Sequence, residues 1–369
     1  KSTRDGGRES RERELRHSEA KLPLATMNSV CKTILTTAPP LGGIAMFRLR
    51  VRLHAAHLLV LVLLVGAPIA TGQMLVDHSC TDLDQIPGSA IAQAKSDLHI
   101  AYNHTSHGSQ LISGMNALAS FPDFGDTYQW SDNGSAGLDL DDYGIPCNIP
   151  DLSQGDYIDA NDVTPWVTCT RDFLDLPANA HINVVMWSWC SIHGHDAQRY
   201  FDNMEVLVSE YPGVEFVFMT GHAQGQGEDM TPDSVHYNNQ LIRAHAQAHG
   251  RTLFDFADIE AYDPDEAYFW DLFLQDNLDY NGGNWAVEWI EANPGSEIEQ
   301  LTTGDGVDGY GGLSSCAHSA SPSDATLNCV LKARAAWWMF AEIAGWRPGL
   351  VFGDGFELGD TSAWSDSSM

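Results

Sequence analysis

The alternation of short apolar strands with longer helical segments constrains this fold more than any other feature of the sequence. Four runs have the apolar, β-branched or aromatic character of buried strands, at 98–103, 182–187, 214–219 and 252–256. The first three are each followed by a helix-like stretch, at 110–119, 196–210 and 234–249. Strands covered on both faces are nearly continuous in apolar character, and alternation with helices favours parallel βαβ units. The sequence therefore predicts an α/β protein, a three-layer α/β/α sandwich with a mainly parallel, flavodoxin-like sheet.

Two connections between these elements are too long to be simple turns. The segment 121–180 is rich in Asp, Gly and Asn, and the segment 261–313 contains three tryptophans. Long ordered insertions are commonly functional or fixed by disulfides. Ligands of a doubly wound sheet bind at the carboxyl ends of its strands. We therefore expect the two insertions to form the rim of a substrate site.

The first 72 residues are expected to lie outside the folded domain. Arg48, Arg50 and Arg52 precede an apolar run at 58–65, and small residues follow up to Gly72. That order is typical of a secretory signal peptide, so the mature protein is expected to be secreted or periplasmic. An uncleaved N-terminal anchor is the alternative. The chain then divides into an upstream or disordered leader (1–45), a signal peptide (46–72), one α/β domain (73–348) and a C-terminal tail (349–369).

The charge of the chain excludes several classes of partner. Residues 73–369 contain 45 of the 50 acidic residues but only 8 of the 19 basic ones. So large an excess of negative charge repels nucleic acid and anionic membranes, and neither is expected as a partner after signal cleavage. The excess fits a halophilic protein, because salt screens the self-repulsion. Calcium binding is the alternative, but the sequence lacks a D-x-D-x-D-G loop.

Cysteine usage agrees with export. Six cysteines follow the leader: Cys80, Cys147, Cys169, Cys190, Cys316 and Cys329. An even number in an exported chain suggests up to three disulfides. Short loops favour pairing Cys147 with Cys169 and Cys316 with Cys329. The sequence contains no C-x-x-C pair, so a cysteine zinc site is not expected.

The segment 102–110, Tyr-Asn-His-Thr-Ser-His-Gly-Ser-Gln, lies where the first predicted strand passes into the first helix. A serine at this junction gains from the amides of the helix N-terminus. Here the chain resembles the SGNH, or GDSL-type, hydrolases, in which the first strand ends in Gly-Asp-Ser. This sequence has His104-Thr105-Ser106 at that place. The resemblance implies that Ser106 is a catalytic nucleophile.

The resemblance extends to the last block of the family, which is Asp-x-x-His ahead of the final helix. This sequence has Ser315-x-x-His318 there, followed by a helix-like stretch at 327–344. The resemblance implies that His318 is the general base for Ser106 and lies within hydrogen-bond reach of it. Because the aspartate of this block is missing, we expect Asp308 or Asp305 to orient His318, or no carboxylate at all.

Other residues at the predicted strand ends are candidates for binding the oxyanion or the substrate. The third block of the family supplies an asparagine as oxyanion donor, whereas the corresponding segment 184–191 has none. A serine hydroxyl or a backbone amide could replace it. The candidate residues are His104, His107, Gly108, Ser188, Ser191, His193 and His222.

The histidines also support a competing interpretation. Five of them follow predicted strands and are expected at the same sheet edge: His104, His107, His193, His195 and His222. Such a group could bind zinc or another divalent metal, with His193, His195 and His222 as the alternative ligand set. The esterase interpretation needs no cofactor.

Three functions remain open at this point. The preferred one is a secreted serine esterase that removes acyl groups from an extracellular carbohydrate or a similar ester. The second is a histidine-based, metal-dependent hydrolase or lyase that acts on a polysaccharide. The third is a non-catalytic carbohydrate-binding protein with an SGNH-like fold. We prefer the esterase because the order of strand, serine and helix is a positional match.

Overall fold

The computed structural model describes residues 73–158, 164–319 and 322–348. The expected leader, signal peptide and C-terminal tail lie outside these ranges. A seven-stranded sheet forms the centre of the described part. Its strands are β1 (Leu75–Val76), β2 (His99–Asn103), β3 (Trp130–Ser131), β4 (Leu138–Asp142), β5 (Val184–Trp187), β6 (Glu215–Met219) and β7 (Leu253–Phe254). A separate antiparallel pair consists of β8 (Asp279–Tyr280) and β9 (Gly283–Asn284).

The seven strands are all parallel and lie in the order β1-β7-β6-β5-β2-β4-β3. The five central strands, β7-β6-β5-β2-β4, have the flavodoxin-like order. Strand β4, the second of these five along the chain, lies outside β2, the first. The strand order therefore reverses between β2 and β5, whose ends are aligned because Asn103 pairs with Trp187. Ligands of doubly wound sheets bind in the crevice at such a switch point.

Helices cover both faces of the sheet. They are α1 (Gly88–Asp97), α2 (Ser109–Ser120), α3 (Leu152–Gly155), α4 (Pro165–Leu174), α5 (Ala197–Glu210), α6 (Val235–His249), α7 (Phe256–Ala261), α8 (Trp285–Ala292), α9 (Glu297–Thr303) and α10 (Leu327–Ile343). Helices α1 and α2 pack with α10, whereas α4 and α6 pack with α5. These two groups of helices form the outer layers of the predicted three-layer α/β/α fold.

Local sequence accounts for the central elements. All four residues of β5 are buried, as expected for a strand covered on both faces. Helix α6 begins where the Ser234 hydroxyl accepts a hydrogen bond from the amide of Tyr237. It ends at Gly250, which adopts the left-handed conformation with φ of 62°. The interior of the domain therefore follows the pattern of the sequence closely.

The two long insertions are ordered and contribute elements of their own. The first supplies β3 and β4 to the sheet, and the second supplies the β8–β9 pair together with α8 and α9. Two disulfides join Cys147 to Cys169 and Cys316 to Cys329, as the short loops predict. Within the described ranges, no helix combines the length and the apolar character that crossing a bilayer requires.

Candidate functional site

A group of reactive side chains lies at the switch point of the sheet. Ser106 follows β2, Cys190 follows β5, and His222 follows β6. Asp276 comes from the second insertion, and His318 comes from the loop ahead of α10. Five segments that are distant in sequence therefore meet in one place.

Ser106 and His318 are in direct contact. The Oγ atom of Ser106 lies 2.8 Å from Nε2 of His318, which is hydrogen-bond distance. On the other side of the ring, Nδ1 of His318 lies 3.5 Å from Oδ2 of Asp276. The serine was expected to reach this histidine, and the geometry agrees. The three side chains have the order of nucleophile, base and orienting carboxylate.

Three imidazole rings are stacked in this site. His107 lies in the middle, with ring centroids 3.4 Å from His222 and 4.0 Å from His318. The interplanar angles are 9° and 7°, so the three rings are nearly parallel. Nε2 of His107 lies 3.1 Å from Oδ2 of Asp276. The same carboxylate oxygen therefore faces two histidines.

The surroundings set the charge of each ring. Burial and, after it, the neighbouring His107 lower the pKa of His222 to about 3. Burial also lowers the pKa of His318, followed by the effect of His107, while Asp276 opposes both. Burial acts in the same direction on His107, but hydrogen bonds to Asp276 and Cys190 outweigh it, so that its pKa is raised. His318 and His222 are therefore neutral at pH 7. When the stack binds a proton, His107 is the ring that holds it, because its pKa is the raised one.

Asp276 keeps its negative charge in this environment. Burial raises the pKa of Asp276, but the hydrogen bond with His107 and the fields of His222, His107 and His318 lower it by more. The net pKa of the carboxyl group is below its usual value. Asp276 is thus an ionised acceptor for the N–H group of His107, and the same oxygen lies 3.5 Å from Nδ1 of His318.

Close packing fixes the loop that carries Ser106. The Tyr102 hydroxyl donates to the carbonyl of Gly108 over 3.0 Å, and the Ser109 hydroxyl donates to the carbonyl of Ser106 over 2.6 Å. A β-carbon at Gly108 would lie 2.2 Å from Oγ of Ser188. Only glycine fits at that position, so the backbone of the loop packs directly on the end of β5.

The loop that carries His318 is held from several sides. His318 itself has a positive φ of 62°, which is uncommon for a residue other than glycine. The preceding carbonyl, that of Ala317, accepts a hydrogen bond from the side chain of Gln110 over 2.5 Å. The Cys316–Cys329 disulfide ties the loop to α10. These contacts maintain an unfavourable backbone conformation at a candidate catalytic residue.

A buried ion pair lies beneath the site. Nζ of Lys332 donates to Oε1 of Glu260 over 2.5 Å and also to the side-chain oxygen of Gln110. The other carboxylate oxygen of Glu260 accepts from the amide of Ala223 over 2.7 Å. The side chain of Asn328 donates to Glu260 over 3.4 Å and to the carbonyl of Asp276 over 3.3 Å. One network therefore connects the segments that carry Ser106, His222 and Asp276.

The other predicted binding residues lie at different depths. His104 is buried, and its two ring nitrogens face the carbonyl of Thr105 and the carboxylate of Asp142. Ser188 is buried against Gly108. The Ser191 hydroxyl accepts from the side chain of Gln224 over 2.7 Å, and that nitrogen also lies 3.1 Å from Nε2 of His222. The ring nitrogens of His104 therefore contact Thr105 and Asp142 and not the Ser106 side chain. Ser191, in contrast, is linked to His222 of the stack through Gln224.

The structure does not bring the alternative metal ligands His193, His195 and His222 together as one cluster of the described residues. His193 is exposed beside Gly194, which has a positive φ of 78°, and His195 packs against the ring of Trp189. Among the described residues, no cluster of three potential metal ligands contains His193, His195 or His222. His107, Asp276 and His318 form such a cluster instead, with ligand atoms within 4.8 Å of one another.

The carboxylate beside His318 is Asp276 and neither of the two predicted ones. Asp308 and Asp305 are exposed in a glycine-rich turn after α9, in which Gly304, Gly306 and Gly309 have positive φ. Asp276 occupies the place beside His318 that was expected for Asp308. No motif marks Asp276, because the fold of the second insertion alone brings it to the site. Cys190 was missed as a site residue because an even cysteine count suggested a disulfide.

Comparisons of the chain with family models, with curated proteins and with solved structures found no match. The resemblance to the SGNH hydrolases stays a prediction.

Proposed function

We propose that this chain is a serine hydrolase that cleaves carboxylic esters. Ser106 is the nucleophile, His318 is the general base, and Asp276 orients and stabilises the protonated histidine. The observation that carries the proposal is the 2.8 Å contact between Oγ of Ser106 and Nε2 of His318, with Asp276 on the far side of the ring. This arrangement resembles the triads that activate serine on several unrelated folds.

Proton transfer follows from the two contacts of the His318 ring. Nδ1 of His318 faces the carboxylate of Asp276 at 3.5 Å, which favours the tautomer with its proton on Nδ1 and leaves the lone pair on Nε2 to accept the proton of Ser106. Because burial lowers the pKa of His318, the ring is neutral and ready to act as a base at pH 7. The serine oxygen then attacks the ester carbonyl, and His318 returns the proton to the leaving alcohol. Water repeats the cycle on the acyl-enzyme.

The loop around Ser106 offers donors for the oxyanion. Within the described part of the chain, the backbone N–H groups of Ser106, His107 and Gly108 donate to no protein acceptor. These groups lie at the start of α2, where a helix favours negative charge. Free, fixed amides next to the nucleophile can stabilise a tetrahedral intermediate without an asparagine donor.

An extracellular ester is the substrate that best fits the chain. Two disulfides are typical of an oxidising compartment, and the predicted signal peptide leads there. A cleft of about 580 Å³ is lined by aromatic and polar side chains that include Tyr262, Tyr268 and Trp270. Ser106 and His318 do not line this cleft. We propose an O-acylated carbohydrate, whose ring presents both apolar faces and hydroxyl groups.

A metal-dependent mechanism is the second candidate, because His107, Asp276 and His318 cluster. Zinc binds in the plane of an imidazole at about 2.0–2.1 Å from nitrogen. The rings of His107 and His318 are stacked at 7° with centroids 4.0 Å apart, so one ion cannot lie in both planes. This stacking favours the serine mechanism over a shared metal ion.

The experiment that tests the proposal is hydrolysis of p-nitrophenyl acetate by the full chain. We expect Ser106→Ala to abolish turnover and EDTA to leave the wild-type rate unchanged. Ser135→Ala is the matched control, because it removes an exposed serine hydroxyl in the turn between β3 and β4. Activity that survives Ser106→Ala but is lost with EDTA would support the metal enzyme. A correctly folded wild-type protein without esterase activity would favour a carbohydrate-binding protein.

A further inference from the structure

Cys190 is a nucleophilic group that the proposed mechanism does not use. It is half-buried at the carboxyl end of β5 and forms no disulfide. Its Sγ atom lies 3.8 Å from Oγ of Ser106 and 3.9 Å from Nδ1 of His107. The thiol therefore lies inside the site, in contact with a second nucleophile and with a base.

His107 connects Cys190 to the shared carboxylate. The ring of His107 is buried, and its Nε2 atom lies 3.1 Å from Oδ2 of Asp276. When Nε2–H donates to Asp276, Nδ1 is left to accept the thiol proton. Cys190, His107 and Asp276 therefore repeat the order of Ser106, His318 and Asp276. The two arrays use the same carboxylate and lie side by side, because the two imidazole rings stack at 4.0 Å.

We propose that Cys190 is a modification site that takes low-molecular-weight disulfides and that its modification blocks Ser106. The thiol proton passes to Nδ1 of His107, and the thiolate attacks one sulfur of the incoming disulfide. The S–S bond of that molecule breaks, a new S–S bond forms to Cys190, and the other half leaves as a thiolate. The exchange needs no other oxidant.

The charge on the neighbouring groups supports this reactivity. The hydrogen bond with His107 lowers the pKa of the Cys190 thiol, and this effect outweighs burial. The other free cysteine of the described ranges behaves differently, because burial raises the pKa of Cys80 to about 12. Cys80 is buried with its thiol directed to the carbonyl of Leu75. The chain thus contains an unreactive thiol as an internal control.

The adduct on Cys190 has two consequences. A group attached to Sγ, 3.8 Å from Oγ of Ser106, occupies the space through which an acyl carbon must approach. Of the other five cysteines in the described ranges, four are in disulfides, and the fifth, Cys80, is buried beside β1. The adduct therefore persists until an external thiol removes it. The inhibition rests on the proposed hydrolase function, whereas the reactivity of Cys190 does not.

The test uses the neutral probe 2,2′-dithiodipyridine, which the acidic surface does not repel. Released thiopyridone gives the rate, and peptide mass spectrometry gives the site. We expect the probe to label Cys190, to leave Cys80 unmodified and to abolish ester hydrolysis until dithiothreitol is added. Labelling of Cys190 should slow by at least about tenfold at pH 7 in His107→Gln. It should persist in Ser106→Ala, which separates this inference from the hydrolase proposal.

A second measurement needs no variant. The labelling rate of the wild-type protein should rise with pH to a plateau, with a midpoint below that of a short cysteine peptide. In Cys190→Ala the ratio of esterase rates with and without the probe should be one. Labelling of Cys190 no faster than that of the peptide, or unchanged by His107→Gln, would overturn the proposal. Continued hydrolysis by a fully labelled protein would overturn the blocking step.

Discussion

The ion pair between Lys332 and Glu260 is the contact whose loss should cost the most stability. Both side chains have an exposure of 0 %, and Nζ lies 2.5 Å from Oε1. The ammonium also lies 3.5 Å from the ring centroid of Phe256. Burial lowers the pKa of Lys332 to about 8, with Glu260 opposing that effect. The lysine is therefore still charged at pH 7, inside the protein.

Lys332→Met keeps a side chain of similar length but leaves the carboxylate of Glu260 without its cation. Removing one partner of a buried pair costs about 3–5 kcal/mol, because the remaining charge is desolvated and unpaired. A whole domain is stabilised by about 5–15 kcal/mol, so the loss is a large fraction of the total. The double variant Lys332→Met/Glu260→Gln removes both charges. It should be less destabilised than the sum of the single variants by more than about 1 kcal/mol.

Guanidinium unfolding with the disulfides intact measures these differences. Arg171→Met is the matched control, because Arg171 pairs with Glu210 at 2.7 Å on the surface, with side-chain exposures of 35 % and 41 %. Exposed pairs contribute about 0–1 kcal/mol, so this variant should change little. A Lys332→Met protein as stable as the Arg171→Met control would refute the reasoning about the buried network.

Three further predictions concern the site. Asp276→Asn should lower kcat for ester hydrolysis by about 10²–10⁴-fold, while Asp308→Asn should leave it unchanged. Equal values of kcat for the two variants in steady-state assays would show that Asp276 does not orient His318. Gly108→Ala should lower the unfolding free energy by about 1–3 kcal/mol, because the new β-carbon meets buried atoms at 2.2–2.6 Å. Gly88→Ala should leave the unfolding free energy unchanged, because a β-carbon there has no neighbour within 4 Å. In the pH profile of kcat/KM, the acidic limb should have its midpoint below pH 6.5, because burial lowers the pKa of His318 and the base works only when neutral. A midpoint above pH 7 would contradict the assignment of His318 as the base.

The central strands could be predicted because their signal is local. Strands β5 and β6 are almost wholly buried, so their apolar runs are evident in the sequence. Strand β4 was missed because its sequence, Leu-Asp-Leu-Asp-Asp, alternates buried leucines with partly exposed aspartates. The edge strands β1 and β3 have only two residues each, and they pair through tertiary contacts. The sequence thus revealed the centre of the sheet but not its edges.

The residues of the candidate site were likewise predicted only in part. Ser106 and His318 were found because each stands next to a recognisable element, a strand end and the final helix. Asp276 reaches the site through long-range contacts, since its carbonyl accepts hydrogen bonds from the side chains of Ser319 and Asn328. No spacing in the sequence encodes such contacts. Cys190 stayed unpaired because Cys80 is buried at the far edge of the sheet, beside β1.

The central claim is that Ser106 is the nucleophile, and covalent trapping tests it most directly. The full chain is treated with a fluorophosphonate ester, which phosphonylates activated serines, and the modified peptide is identified by mass spectrometry. We predict one phosphonyl group per chain on Ser106, slower labelling in His318→Gln and no labelling in Ser106→Ala. An adduct on Ser109 or Cys190, or an unmodified protein that still hydrolyses the ester, would contradict the claim.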